Sequence, residues 1–564
     1  MNKKWVCNEA DLKKVEEIKE KYNLTDLVAN ILVGRNIAEN DEKIKIFLNP
    51  TRNDFYDPFL LPDMEKAVDR IIEAANNKEK VIIYGDYDVD GITSICVLKQ
   101  FLKSIGIDAA HTIPNRLDEG YGLNKEAVKR IADEKYKLMI TVDCGISGIE
   151  EIDYANSLGI ETIVTDHHEP LDNLPNAIAV IDPKIKTSKY PFNQLAGVGV
   201  VFKLIQAIGK KLNIDEKEYL KYLDLVAVGT ISDIVPLVDE NRVIAKLGLK
   251  LVEVTKNIGL KTLINSLGYK QINSMTVSFG IAPRINACGR MGMAEEALKL
   301  FLTTDTQEAL KLTDKLNEYN RVRQEIEKGI YEDAIEKIKN DNVKEKDCIV
   351  LAGENWHHGV IGIVASKITD MYFKPTILVC MEENEGKGSG RSIPGFDLHN
   401  ALCKSSQYLQ KYGGHEMAVG LSLHRKDFDN FKKVFEDYAC SCNLSQIVPI
   451  INIDKEVTDK ELTVQNVKDL QKLEPFGEAN KTPLFLFKNL RIDSIRSLTE
   501  GKHMKITLKT ENGNIITAMG FNMGSRAEEF LIGDRVDIVG VLEINSFNGM
   551  DSIQFNLKDI MKSL

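Results

Sequence analysis

A chain of 564 residues is too long for a single hydrophobic core, so two to four domains are expected. With 43% hydrophobic and 28% charged residues the composition is that of a globular protein, and no apolar run reaches the length of a membrane span; even 222–238 is broken by Asp224 and Asp233. The net charge of -11 argues only weakly against a nucleic-acid partner, because such binding depends on a local basic groove and a carboxylate-rich metal site would itself add negative charge.

The start, Met1-Asn2-Lys3-Lys4-Trp5, has no apolar signal-peptide core, and the 9 cysteines form neither a Cys-x-x-Cys pair nor an even framework. Reduced thiols in a cytoplasmic protein, with no zinc site, are therefore expected. Residues 1–60 are polar and weakly patterned apart from a helix near 24–32, and read as an arm or cap on the next domain. From residue 80 the rhythm becomes strand, acidic turn, helix. The run Val81-Ile82-Ile83-Tyr84 leads into Asp86-Tyr87-Asp88-Val89-Asp90-Gly91 and an amphipathic stretch at 91–103. A strand-like 107–113 and a helix at 124–134 with Asn124 as N-cap follow. Leu138–Val142 then ends in Asp143-Cys144-Gly145, and Glu161–Thr165 ends in Asp166-His167-His168. This alternation predicts βαβ units on a parallel sheet. Acids and imidazoles gather at the same end of successive strands, where an open α/β sheet binds its ligand.

From 194 to 301 the pattern is mainly helical. It contains Asp233, within Gly229-Thr230-Ile231-Ser232-Asp233-Ile234-Val235-Pro236-Leu237, and is interrupted by the glycine- and asparagine-rich string from Arg284 to Gly292. Residues 305–340 read as a solvated connecting helix, with a nucleic-acid contact through Arg321 and Arg323 as the lesser reading. A second α/β unit begins at Asp347, with strands at 348–352 and 376–380 around a helix at 360–369. It carries Gly386-Lys387-Gly388-Ser389-Gly390-Arg391-Ser392, read as an accessible glycine loop, and Gly413-Gly414-His415. After 446, short alternating stretches at 483–487, 504–508, 515–520, 535–541 and 552–557, separated by turns such as Glu511-Asn512-Gly513, suggest a small barrel.

In an extended segment Asp86, Asp88 and Asp90 would share one side, and three carboxylates there repel unless protonated or holding cations. An EF-hand is excluded, because its twelfth position is Val97 rather than glutamate. Oxygen donors with one or two imidazoles suit Mn²⁺ or Mg²⁺, and a cluster this acidic suits two ions. Two such metals are fitted to phosphoester hydrolysis by in-line displacement. Pro114-Asn115-Arg116, and the guanidinium of Arg391 beside Ser389, suit a phosphate, while Arg284 and Arg290 flank another glycine string. Taken singly, each glycine string reads better as a tight turn than as a phosphate loop.

Together these motifs closely resemble the DHH phosphoesterase superfamily and, within it, the RecJ family of single-stranded-DNA exonucleases. Asp86 to Gly91, Asp143-Cys144-Gly145, Asp166-His167-His168 and Asp233 resemble its metal-binding motifs; Trp356-His357, 388–392 and 413–415 its DHHA1 domain; and Leu473-Glu474-Pro475-Phe476-Gly477, with Asn480, Pro483 and Leu484, the approach to its OB-type barrel. The resemblance implies a multidomain α/β protein: an N-terminal arm (1–60), a parallel-sheet DHH catalytic domain (61–303), a connecting helix (304–345), a smaller α/β DHHA1 domain (346–445) and a C-terminal OB-fold domain (446–564). It implies two divalent cations, Mn²⁺ preferred or Mg²⁺, on Asp86, Asp88, Asp90, Asp143, His167, His168 and Asp233, with Asp143, His167, His168 and Asp233 catalytic. Two roles stay open for His168, metal ligand or phosphate contact. Smaller members of the superfamily carry a histidine near the position of Asp86.

The resemblance further implies phosphate or DNA contacts at Arg116, Arg284, Asn286, Arg290, Ser389, Arg391 and His415. The function it implies is 5′→3′ degradation of single-stranded DNA to nucleotide 5′-monophosphates in repair and recombination. The expected partners are single-stranded DNA, a single-strand-binding protein and a helicase, with a monomeric chain and no membrane. The alternatives are a DHH phosphodiesterase for short oligoribonucleotides or cyclic dinucleotides, and a non-catalytic DNA-binding scaffold.

Overall fold

The computed structural model describes residues 3–115, 120, 122–340, 345–547 and 549–563. The chain opens with β1 (Lys4–Cys7) and three helices, Leu12–Tyr22, Asp26–Gly34 and Asp41–Leu48. The catalytic-domain candidate follows as five parallel strands: β2 (Val81–Gly85), β3 (Ala110–Thr112), β4 (Leu138–Val142), β5 (Glu161–Thr165) and β6 (Ala179–Ile181). They lie in the order β3-β2-β4-β5-β6. β2 and β4 are buried throughout, as unbroken apolar runs covered on both faces must be. In this doubly wound order the chain steps from β2 outward to β3, then across β2 to β4. The crevice at the carboxyl ends of β2 and β4 is therefore the switch point where such sheets bind ligands.

The helices Val89–Ser104, after β2, and Gly197–Lys211, after β6, cover the sheet, and Leu223–Ser232 and Ala282–Arg290 pack on Val89–Ser104. The string from Arg284 to Arg290, read from sequence as an interruption, is instead helical. It continues from a π-helical turn, Val277–Ile281, with a proline in its first turn. Its glycine and asparagine serve tertiary contacts: Gly289 packs on the Tyr87 carbonyl, and the Asn286 Oδ1 accepts from the Val89 N–H at 3.3 Å.

A 35-residue helix, Thr306–Asn340, leads to the second α/β unit. On it Arg321 pairs with Glu318 and Glu325, and Arg323 with Glu327 and Asn320, which favours the connecting-helix reading over a DNA contact. The second unit has β7 (Ile349–Glu354), β8 (Thr376–Met381), β9 (Glu385–Arg391), β10 (Lys411–His415) and β11 (Ala418–His424), ordered β10-β11-β9-β8-β7. The glycine string at 386–391 is thus not a loop but strand β9, in the middle of the sheet. Its period of two is the reason: a Cβ on Gly386, Gly388 or Gly390 would come within 2.8 Å of Val379, Leu421 or Val419, so the bare face lets large neighbours in. The other face carries Lys387, Ser389 and Arg391.

The C-terminal unit contains β12 (Ile450–Ile453), β13 (Lys455–Glu456), β14 (Phe485–Leu498), β15 (His503–Lys509), β16 (Ile515–Gly520), β17 (Arg535–Phe547) and β18 (Met550–Lys562). The run β14-β15-β16-β18-β17 is closed by pairing of β14 with β17, and β16 lies parallel to β18, so five strands form a barrel. Phe485 and Phe487 are core residues of this barrel.

The N-terminal arm does not sit only on the next domain. β1 pairs with β12, and Leu27, Val28, Leu32, Phe47 and neighbours share one core with the barrel. Arg242, almost fully buried, joins all three parts. Its guanidinium lies 3.5 Å over the Phe47 ring and donates to the carbonyls of Phe47, Leu473, Glu474 and Pro475. Asn480 closes the same turn by donating to the carbonyls of Leu473 and Pro475, both at 2.9 Å. The turn then meets the catalytic side: the Leu237 N–H donates to Glu478 O at 2.8 Å and the Ser274 hydroxyl to Phe476 O.

Arg242→Met keeps an apolar stem but strips several buried carbonyls of their donor, at a cost of about 3 kcal/mol. Calorimetry should show the arm-and-barrel transition separating to lower temperature from that of the catalytic domain. A single unchanged transition would contradict the coupling.

Candidate metal centre

Each acidic string occupies the carboxyl end of a strand or helix for a local reason. Asp86 follows β2 directly. Asp88 caps the helix Val89–Ser104, its carboxylate accepting from the Gly91 N–H at 3.0 Å, and Asp90 lies in the first helical turn. The three aspartates are therefore a strand-turn-helix junction and not an extended segment with one common side. Asp143 follows β4 with a φ of 58°, and Asp166-His167-His168 follows β5. Asp233 caps the C-terminal end of the helix Leu223–Ser232, before Ile234 at a φ of 61°. A β-branched residue in the left-handed region is strained, and such strain collects where surrounding structure dictates a side chain's position.

The structure brings all seven predicted ligands together. Three combinations place donor atoms within 4.8 Å of one another: Asp86, Asp88 and Asp143; Asp90, His167 and Asp233; and Asp143, His167 and His168. His167 Nε2 is 3.1 Å from Asp143 Oδ1, 3.7 Å from Asp233 Oδ2 and 3.8 Å from Asp90 Oδ2. It is buried and makes no aligned hydrogen bond. Gly197 permits this closeness, since a Cβ there would lie 2.7 Å from that of Asp143.

Two residues hold the frame. Asp90 accepts from the N–H groups of Gly197 (2.7 Å) and Val198 (2.8 Å) at the start of the helix Gly197–Lys211, where the helix dipole favours negative charge. Asp166, part of the motif but not expected to do chemistry, accepts from the N–H groups of Ile146 and His167 and from His168 Nδ1 at 2.7 Å. It fixes the orientation of the His168 ring through Nδ1. A carboxylate directly before two histidines was the available signal for this role.

The electrostatics separate the members. Burial, with Asp88 adding to it, pushes Asp90 up to about 7. Burial and neighbouring carboxylates raise Asp143 and Asp233 well above the usual range. Burial, aided by His168, lowers His167 to about 3, which keeps it neutral as a metal ligand must be. Burial opposes charge on His168, but the hydrogen bond to Asp166 together with the negative charges of Asp166 and Asp90 outweighs it and raises His168. At an effective dielectric of about 20, two unit charges about 4 Å apart repel by about 4 kcal/mol. That is a large share of a typical stability of about 5–15 kcal/mol, so the ionised cluster demands cations. Buried carboxylates and a neutral imidazole fit a pair of hard or borderline divalent ions.

Four of the predicted phosphate contacts, Asn286, Arg290, Ser389 and Arg391, are linked in a row beside this centre. Asn286 and Arg290 stand on one helix, Asn286 touching Val89 and Arg290 donating to Gly359 O at 2.7 Å. Gly359 starts the helix His358–Tyr372, and Gly362, one turn on, faces Ser389 and Arg391. Arg391 donates to the Ser389 hydroxyl at 3.2 Å. Arg284 turns instead onto the long helix, donating to Asn317 and Gly280 O. His415 lies at the exposed end of edge strand β10. Arg116 lies outside the described residues; the preceding Pro114 and Asn115 line a cavity of about 90 Å³ with Tyr87, Gly289 and Gly292.

A carboxyl whose folded-state pKa stands above its unfolded value binds its proton more tightly when folded. Without metal, stability contributed by Asp90 therefore falls as pH rises from about 4 to about 7. Bound cations require ionised ligands, so Mn²⁺ should oppose this loss, and most strongly at the upper end. Melting temperatures over about pH 4.5–7.5 in EDTA and in Mn²⁺ should diverge as pH rises. Parallel curves would contradict the assignment of a cation-demanding cluster.

Comparison with known proteins agrees with this geometry. The DHH family, N-terminal domain profile matches residues 80–230, the DHHA1 domain residues 345–440 and the RecJ OB domain residues 453–559. The chain is 38% identical over 562 residues to the single-stranded-DNA-specific exonuclease RecJ of Bacillus subtilis, covering 99% of this chain and 70% of that one. It is 34% identical over 505 residues to the protein of the same name from Thermus thermophilus, covering 89% and 71%. The crystal structure of RecJ from Thermus thermophilus in complex with Mn²⁺ superposes with a TM-score of 0.87 at 30% identity, over 100% of this chain and 80% of that one. The Mg²⁺ complex gives 0.81 at 28% identity, over 100% and 79%. With a relative at this identity matched over 99% of this chain and 70% of its own length, the chain belongs to the RecJ family of single-stranded-DNA-specific exonucleases.

Proposed function

We propose that this chain hydrolyses single-stranded DNA from its 5′ end to nucleotide 5′-monophosphates, using two divalent cations. The observation that carries the reading is the buried cluster in which Asp143 and His167 each serve two donor sets at the sheet's switch point. Two cations at such a centre supply an activated water and a clamp on the phosphate oxygens. Asp86, Asp88 and Asp143 would hold one ion, and Asp90, His167 and Asp233 the other, with Asp143 between them. Mn²⁺ is preferred over Mg²⁺ because an imidazole sits among the carboxylates.

The two histidines divide the work. His167, kept neutral by burial, suits ligation; His168, half exposed and held by Asp166 in a form that takes a proton readily, suits a phosphate oxygen. The wall through Asn286 and Arg290 to Ser389 and Arg391 supports a grip on the 5′ phosphate at one end of the cleft, and with it the polarity. A short-substrate phosphodiesterase is disfavoured because the barrel is bound to the segment that carries Asp233: Leu237, four residues on, is hydrogen-bonded to Glu478.

An enzyme confined to single strands depends on activities that expose and hold them, which supports the expected helicase and single-strand-binding protein. No helix among the described residues is long and apolar enough to cross a membrane, and all nine cysteines are unpaired, which supports the cytoplasmic reading.

With Mn²⁺, 5′-phosphorylated single strands should be degraded and blunt duplex left intact, and a 5′ block should protect where a 3′ block does not. Equal cleavage of both forms would sink the proposal. Asp143→Ala should lose about a thousandfold or more in kcat while retaining DNA binding in a filter assay. Arg391→Ala should raise KM for 5′-phosphorylated strands about tenfold, leaving the Mn²⁺-induced rise in Tm unchanged. An unchanged KM would remove Arg391 from the phosphate grip.

A further inference from the structure

The rim of the metal centre carries a charged residue that none of the acidic motifs includes. The Asp166 N–H donates to Ile181 O at 3.1 Å, so the chain leaving β6 runs beside the Asp-His-His string leaving β5. Asp182, wholly buried, turns that chain back by accepting from the Lys184 N–H at 2.8 Å, while its second oxygen is buried without a hydrogen-bond partner. The turn delivers the Lys184 ammonium to 3.3 Å from the carboxylate of Glu169, the residue directly after His168. The lysine side chain is 20% exposed and that of Glu169 69% exposed, so a mostly covered stem presents its charge at the edge of the cleft.

The Glu169 carboxylate that holds this ammonium follows His168 directly, so the charge stands beside the Asp-His-His string. The buried carboxylates also outnumber the charge that two divalent ions bring. An incoming phosphodiester therefore meets excess negative charge unless a further cation stands at the rim. Lys186 follows on the same loop but is 87% exposed and, among the described residues, paired only with Asp172, an arrangement that contributes little.

We propose that Lys184 is a substrate-contacting residue, whose ammonium leaves Glu169 to grip a backbone phosphate of the DNA strand where it passes His168. The exchange is cheap, because an exposed carboxylate is a weak holder. This proposal rests on the nuclease reading above.

The test uses the full-length protein, a 5′-phosphorylated single-stranded oligonucleotide and Mn²⁺, with kcat and KM measured over a series of NaCl concentrations. Lys184→Met should lose about 10- to 100-fold in kcat/KM, mostly in KM, and flatten the slope of log kcat/KM against log salt by about 0.7. Lys184→Arg should restore most of both, and Lys186→Met should stay within about twofold of wild type. The Mn²⁺-induced rise in Tm should be the same in all four proteins. An unchanged kcat/KM and salt slope in Lys184→Met overturns the proposal, as does a loss matched by a smaller Mn²⁺ effect on Tm, which would mean that Lys184 only supports the metal centre. A wild-type protein that leaves the oligonucleotide intact overturns the nuclease reading itself.

Discussion

Mutual repulsion among carboxylates buried at the ends of β2 and β4 is the constraint around which this molecule is built. Asp90, Asp143 and Asp233 stand in a low-dielectric crevice with His167 among them, and the surrounding structure holds them there against their charge. Backbone dipoles do part of this: two N–H groups of one helix start fix Asp90, and Asp166 gathers four donors while orienting His168. The left-handed backbone at Asp143 and Ile234 is the conformational cost of the same arrangement. What remains is a strong demand for cations, and that demand is the origin of the chemistry.

The other domains matter through where they place substrate relative to this centre. The second α/β unit is joined to it by Arg290 on Gly359, so the face of β9 that carries Ser389 and Arg391 belongs to the same wall as Asn286. The barrel is joined through the 473–480 turn, which Arg242 and Asn480 staple and which reaches Leu237 just beyond Asp233. The N-terminal arm lends the barrel part of its core, so both ends of the chain close around one unit. These joints link the acidic cluster, through Asn286 on Val89 and Arg290 on Gly359, to Ser389 and Arg391 on β9.

Much of this was legible from residue order alone. Buried parallel strands are dominated by apolar and β-branched residues, so β2, β4 and β5 stand out, and an acid or acid-histidine string directly after each lies at the same end of the sheet. Asp86, Asp143 and His167 were therefore readable as a cluster before any coordinate. The barrel was readable because its strands alternate with period two between turn residues, as at Glu511-Asn512-Gly513. The glycine strings misled. Gly388 and Gly390 resemble a phosphate loop in sequence, yet they are bare positions in a sheet whose neighbours need the space. Gly289 and Asn286 resemble a loop, yet they serve contacts to Tyr87 and Val89 inside a helix.

Residue order by itself determined the reaction type, because donor chemistry and strand-end placement are local properties of short strings. Only the tertiary structure decided which donors come together: that Asp143 and His167 each fall in two donor groups, that Asp90 is anchored by a helix start 107 residues away, and that Lys184 reaches Glu169 beside His168. Those relations join segments far apart in the chain. They arise from packing, which sets distances and burial, and neither quantity is written in the spacing of residues along one segment.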